Sequence, residues 1–263
     1  PYPWLEALPS IAEPHGPETL RAESGDTRAE KIVFVECGAP WLDEVEWVGE
    51  LARTEPRIAA IVAKVAVDLG PHTREALRRL REEHPLVRGI RHLIQDETDP
   101  AFCLRDEFIA GVRAVAAAGY SFDICCRHHQ LGAVVELVRR CPEAAFILDH
   151  AGKPDLGGGR LDTWRRDIAA LAALPNVVCK FSGLVTEADH AAWTPALLQP
   201  VAEHLRATFG PARLLFGSDW PVVKLAAAYA RWLDTARALV AAWPAADQTA
   251  LFSGNAARVY RLA

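Results

Sequence analysis

Short apolar, β-branched runs alternate with longer amphipathic runs along the chain. The short runs cover 31–37, 58–67, 87–94, 120–126, 144–150, 177–182 and 213–218. In most of them the apolar residues are continuous rather than alternating, as in parallel strands covered on both faces. Between the runs, apolar positions recur at helical spacing over 43–54, 73–83, 106–118, 131–140, 162–174, 194–209 and 225–243. A last helical segment, 247–262, is interrupted near 253–255. The stops are Pro and Gly: Pro85, Gly119, Pro142, Pro175 and Gly210 with Pro211. Thr73 is placed as the N-cap of its helix.

A strand followed by a helix, repeated seven times, predicts parallel βαβ units of the α/β class. Two architectures fit, a doubly wound sheet and a (β/α)8 barrel. A doubly wound sheet carries a Gly-rich phosphate turn after an early strand. None is present, since the glycine cluster at 157–159 follows the fifth run. The expected fold is a distorted (β/α)8 TIM barrel, a single domain over residues 1–263. A barrel needs eight strands and seven are visible, so a first strand is expected upstream of Pro1. The absence of any Met and the start on Pro-Tyr-Pro-Trp point the same way.

Composition narrows the function classes. The chain has 263 residues, 51% hydrophobic and 24% charged, with a net charge of −5. Disorder is excluded, and the mild acidity gives no support for nucleic acid. No run approaches 18 apolar residues and no signal-peptide core opens the chain, so no membrane segment is expected. Six Cys without a C-x-x-C pattern read as buried free thiols in a reducing, cytoplasmic setting.

In a barrel, polar residues at the C-terminal strand ends carry the chemistry. Here they are Glu36; Arg91, His92 and Gln95; Arg127, His128 and His129; Asp149, His150 and Lys153; Lys180 and Ser182; and Ser218, Asp219 and Trp220. Lys is scarce, five of 29 cationic residues, yet two of the five are Lys153 and Lys180. A lysine inside the run Val-Val-Cys-Lys-Phe-Ser must be paired or functional, because an unpaired buried ammonium is costly. Arg91 suits an anionic or carbonyl group, and its alternative is an ion pair lining the barrel. His150 is a metal ligand, an acid–base group or a bonded core residue. Asp219 is a metal ligand, a proton acceptor or a helix cap. His128 and His129 are adjacent, so they diverge and cannot share one metal. The remaining histidines, at 15, 72, 84, 190 and 204, read as surface. No G-x-S-x-G elbow is present, which disfavours a serine hydrolase.

Several of these runs resemble one family. They are Tyr2-Pro3-Trp4-Leu5, the stretch from Gly89 to Glu97, Leu148-Asp149-His150-Ala151-Gly152-Lys153-Pro154, Cys179-Lys180-Phe181-Ser182-Gly183-Leu184, Phe216-Gly217-Ser218-Asp219-Trp220-Pro221 and the closing Gly254-Asn255-Ala256-Ala257-Arg258-Val259-Tyr260. Together they are similar to the amidohydrolase superfamily, in its branch of sugar-lactone and dicarboxylate-lactone hydrolases. The resemblance spans essentially the whole chain. It implies a distorted (β/α)8 barrel that opens a lactone ring. Asp219 then activates water, and His150 serves the metal or carbonyl site. Arg91, Gln95, Arg127, His128, His129, Lys153, Lys180 and Trp220 hold the substrate, a small lactone or sugar acid. The family opens with an H-x-H motif, which this sequence lacks. That pair is expected upstream of Pro1, to join His150 and Asp219 around one divalent, zinc-like metal. No organic cofactor is implied, and both metal-free chemistry and a homodimer stay open. Two alternatives compete: a decarboxylase or hydratase on the same barrel, and a non-catalytic sugar-acid binding protein. Trp4, Trp41 and Trp220 are candidate stacking walls for a sugar ring, with core packing as the alternative.

Overall fold

The computed structural model describes residues 2–25 and 29–262. Seven strands form one parallel sheet in sequential order: β1 (Ile32–Val35), β2 (Ile58–Lys64), β3 (Val87–Leu93), β4 (Ser121–Cys125), β5 (Phe146–Leu148), β6 (Val177–Phe181) and β7 (Leu214–Phe216). Each lies within an expected run. The helices between them are α2 (Trp41–Thr54), α3 (Pro71–Glu83), α4 (Asp106–Ala117), α5 (Leu131–Arg140), α6 (Asp162–Ala172) and α7 (Pro195–Phe209), preceded by α1 (Pro17–Ser24). After β7 come α8 (Tyr229–Leu239), α9 (Ala245–Thr249) and α10 (Asn255–Val259), the last two joined by a π-helical turn over Ala250–Gly254. Sequential parallel pairing with outer helices is the architecture of a (β/α)8 barrel, here with seven strands described. The eighth strand and the H-x-H pair were expected before Pro1, outside the described residues.

Strand alternation decides what each residue faces. Ile61, Ile90, Phe122, Ile124, Phe146, Leu148, Cys179, Phe181 and Leu214 pack in the main core with the helices. Ala60, Val62, Ile147 and Leu215 form a smaller inner cluster with Val33, Val35 and Val178. The same two-residue period carries Arg91, Asp123, Cys125, Asp149, Lys180, Ser182 and Asp219 to the inner face. Apolar residues thus fill the lower barrel, and polar ones collect toward the C-terminal strand ends. Tyr260, just past α10, joins the inner cluster.

Three local expectations need correction. The helix expected over 225–243 is a short 3-10 turn (Val222–Leu225) followed by α8, which starts only at Tyr229. Thr73 does not cap α3: Gly70, at φ 54°, holds that position, and Thr73 Oγ1 donates to Ala66 O at 2.8 Å. The segment α1 was not anticipated, because its eight residues carry little apolar periodicity. It is anchored by charge, through Arg21 to Glu55 at 2.9 Å.

Candidate active site

The mouth of the barrel is built from the ends of β5, β6 and β7. His150 and Asp219 face each other there, Nε2 to Oδ1, at 3.8 Å. Both are mostly buried, with side chains 15% and 13% exposed, enough for a substrate to reach them. Alternation alone would send residue 150 outward with Leu148. The backbone prevents this by entering the left-handed region at His150 (φ 51°), Ala151 (φ 53°) and Lys153 (φ 50°). Asp219 is also left-handed (φ 56°). Non-glycine residues in this region carry strain that the surroundings must hold, and such residues cluster at functional sites.

The supports are identifiable. Buried Trp164 donates its indole N–H to Ala151 O at 2.7 Å, and Lys153 N–H donates to His150 O at 2.9 Å. Gly183 makes room for the imidazole: a Cβ there would lie 2.7 Å from His150 Nδ1. Trp232 donates to Gly217 O at 3.0 Å, steadying the end of β7. His150 Nδ1 is 3.0 Å from the Ser182 hydroxyl. Burial lowers the His150 pKa despite the Asp219 and Asp149 charges, so the ring is neutral at pH 7.

Beneath the pair runs a buried ion network. Arg91 Nε donates to Glu36 Oε1 at 2.7 Å and Nη1 to Asp149 Oδ2 at 2.8 Å. A third guanidinium N–H reaches the Glu36 carbonyl. Lys180 Nζ lies 2.6 Å from Asp149 Oδ1 and 2.7 Å from Asp123 Oδ2. Tyr260 donates to the same Asp123 oxygen at 2.7 Å. Burial alone would raise the Asp149 carboxyl, but the Lys180 and Arg91 charges outweigh it and hold it well below the usual carboxylate range. For Asp123 burial prevails, and its pKa is raised. The ion-pair alternative weighed for Arg91 and Lys180 is therefore what their head groups display.

The other candidates, His92 excepted, follow the strand ends around the rim. Lys153 Nζ is 3.6 Å from Glu187. Arg127 is exposed and donates to Gln95 O at 3.1 Å and to Asp96 at 3.1 Å. Gln95 Oε1 accepts from the Cys125 thiol at 3.3 Å. His128 and His129 meet ring edge to face at 5.6 Å, with His129 exposed. Trp220 donates to Glu23 at 2.6 Å, and His15 packs against its ring at 5.2 Å. His92 points away from the mouth: its Nδ1 accepts from Val67 N–H at 3.2 Å, among Phe102 and Phe108. Trp4 is exposed and donates to Cys37 O at 2.7 Å, while Trp41 lies under Arg79.

For a divalent cation two donor sets deserve comparison. Cys125, Asp149 and His150 bring one ligand atom each within 4.8 Å of one another. Both Asp149 oxygens already face cations, however, and burial pushes the Cys125 thiol up to about 11. His150 Nε2 and Asp219 Oδ1 have no such competition, and this pair fits two positions of a divalent site. Among the described residues no third His, Cys, Asp or Glu completes it within the same reach.

Asp123 and Glu23 were not singled out from the sequence, and Tyr260 stood out only as the end of the closing run. Asp123 left a signal, a carboxylate within an otherwise apolar strand. Glu23 left none, since its partner Trp220 is 197 positions away in sequence.

A barrel with a His–Asp pair at its C-terminal mouth is the arrangement of a barrel enzyme, equipped for acid–base or metal-assisted chemistry. The profile of the amidohydrolase family matches residues 3–262, and this chain belongs to that family. It is 38% identical to L-fucono-1,5-lactonase of Burkholderia multivorans, over 99% of this chain and 91% of that one. It is 31% identical to L-fucono-1,5-lactonase of Burkholderia ambifaria, over 98% and 89%. Among solved structures it superposes on an amidohydrolase from Burkholderia multivorans crystallised with bound zinc. That match has a TM-score of 0.92 and 35% identity, covering 100% of this chain and 94% of the other.

Proposed function

We propose that this protein hydrolyses a sugar-acid lactone of the L-fucono-1,5-lactone type. The carrying observation is the His150–Asp219 pair at the barrel mouth, in a chain 38% identical to a lactonase of that name. In this reading residues 1–263 act as one barrel domain. The six free thiols, five of them buried, suit the cytoplasm.

Water enters beside Asp219, whose carboxylate takes one proton as the oxygen attacks the lactone carbonyl carbon. The carbonyl becomes a tetrahedral oxyanion. Neutral His150 presents Nε2–H to it when the Ser182 hydroxyl donates to Nδ1. Collapse breaks the ring C–O bond, and Asp219 returns its proton to the leaving alkoxide. The product is the open hydroxy acid, and Asp219 is regenerated.

His150 Nε2 and Asp219 Oδ1 would hold a divalent, zinc-like ion. Such an ion polarises the carbonyl and lowers the pKa of bound water. Ser182 then accepts from Nδ1–H instead, so one hydroxyl serves both tautomers of the ring.

Arg91 and Lys180 form a cationic floor, with their charge shared among Glu36, Asp123 and Asp149. Gln95, Arg127, His128, His129, Lys153 and Trp220 line the rim where hydroxyl and ring contacts are made. The test is acid release from a panel of sugar-acid lactones, corrected for spontaneous opening. Enzymatic opening of L-fucono-1,5-lactone is expected to rank among the fastest. Saturable binding of lactones with no acid released would instead identify a binding protein. Loss of carboxylate from an aromatic acid, without lactone opening, would identify a decarboxylase.

A further inference from the structure

The opposite end of the barrel holds a second polar concavity, far from the His150–Asp219 mouth along the strands. It has a volume of about 280 Å³ and lies where α3 leads into β3 and α4 into β4. Arg81, His84, Arg88, Tyr120 and Arg261 supply its polar lining, and no Asp or Glu lines it.

None of the three guanidiniums makes an ion pair with a carboxylate among the described residues. Arg88 donates to the Pro85 carbonyl. Arg261 donates to the carbonyls of Gly119 at 3.0 Å and Arg88 at 3.1 Å. These carbonyls orient the head groups without cancelling their charge. Arg81 is exposed on the last turn of α3. Glu83, close by in sequence, is taken by Arg79 at 3.1 Å. In a chain of net charge −5, three uncompensated cations around one cavity stand out.

A further observation points into the same cleft. Arg261 adopts a left-handed backbone (φ 53°), a conformation costly for a non-glycine residue, as it presents its side chain here. Burial pushes the Tyr120 phenol up, and the charges of Arg81, Arg88 and Arg261 all oppose that rise, so three guanidiniums act on one hydroxyl.

We propose that this cleft binds a small oxyanion of the phosphate type, free or carried on a small metabolite. Planar guanidiniums pair with such oxygens two hydrogen bonds at a time, and the Tyr120 hydroxyl adds a further donor. The volume is at the small end for ligand sites and admits a phosphate with only a short appendage.

The test is calorimetric titration of the full chain with inorganic phosphate and, separately, with glycerol 3-phosphate, in low-salt zwitterionic buffer. Saturable binding that weakens with added salt is expected. Tighter binding of glycerol 3-phosphate identifies a metabolite site, and equal binding identifies a phosphate site. Arg81→Ala should weaken either by about tenfold or more, with lactone hydrolysis in phosphate-free buffer unchanged. Arg81→Gln, which keeps the side-chain bulk, should do the same if the alanine variant is unstable. Two results overturn the proposal: no saturable binding of either probe, or equal affinity in wild type and the Arg81 variants.

Discussion

His92 and His150 show how surroundings, rather than residue type, assign a histidine its work. Both were legible as strand-end residues. Only the structure separates them, because His92 accepts the Val67 N–H and packs on two phenylalanines. Burial lowers its pKa below 6.5 although Asp68 lies 3.9 Å away. The unfolded chain therefore binds the His92 proton first, between its ordinary pKa of about 6.5 and the lower folded value. The stability tied to neutral His92 is complete above pH 6.5 and is lost as pH falls through that window. His92→Gln removes this dependence. The difference in urea midpoint between wild type and His92→Gln should narrow from pH 7.5 to pH 5. A difference independent of pH would refute the assignment. The partners of Arg91 and Lys180 were not legible, since Glu36, Asp123 and Asp149 lie 31 to 58 positions away in sequence. The sequence could say only that a buried cation needs an anion.

At the scale of elements, hydrophobic continuity located all seven strands, because parallel strands buried on both faces leave a strong signal. Helix ends were less legible where backbone geometry overrode side-chain preference, as at Gly70 and Tyr229. The left-handed turn at 150–153 left no periodic trace, and yet it aims the imidazole. Glycine positions expose these constraints. Gly111 on α4 presses against the chain after β2: a Cβ would fall 1.6 Å from Val67 O. Gly111→Ala should cost about 2 kcal/mol or more, because backbone must move, and a lowered urea midpoint would register it. Gly183→Ala should disturb the site more selectively. Its φ of +64° and the 2.7 Å approach to His150 displace the ring, so kcat should fall more steeply than stability. Full activity in Gly183→Ala would show that the ring position is not critical.

Across the whole molecule, one buried network links β1, β3, β4, β5, β6 and the C-terminal Tyr260. Two cations and three carboxylates share it, and the side chains of Glu36, Asp123 and Asp149 are fully buried. Removing one partner strands the rest, so Lys180→Met should cost about 3–5 kcal/mol. Adding Asp123→Asn to it should recover part of that loss, because one stranded charge is removed. No recovery in the double variant would mean that the two residues are not energetically coupled. The barrel class was legible from the strand–helix rhythm, and the family from its strand-end runs. The charged interior was not, because closing the sheet brings together strands that the sequence separates.

The most direct test is acid release from L-fucono-1,5-lactone by Asp219→Asn beside wild type, with matched thermal midpoints. If Asp219 moves the proton, kcat should fall about a hundred- to ten-thousand-fold while the fold stays intact. Undiminished turnover in that variant would contradict the assignment of Asp219 as the base.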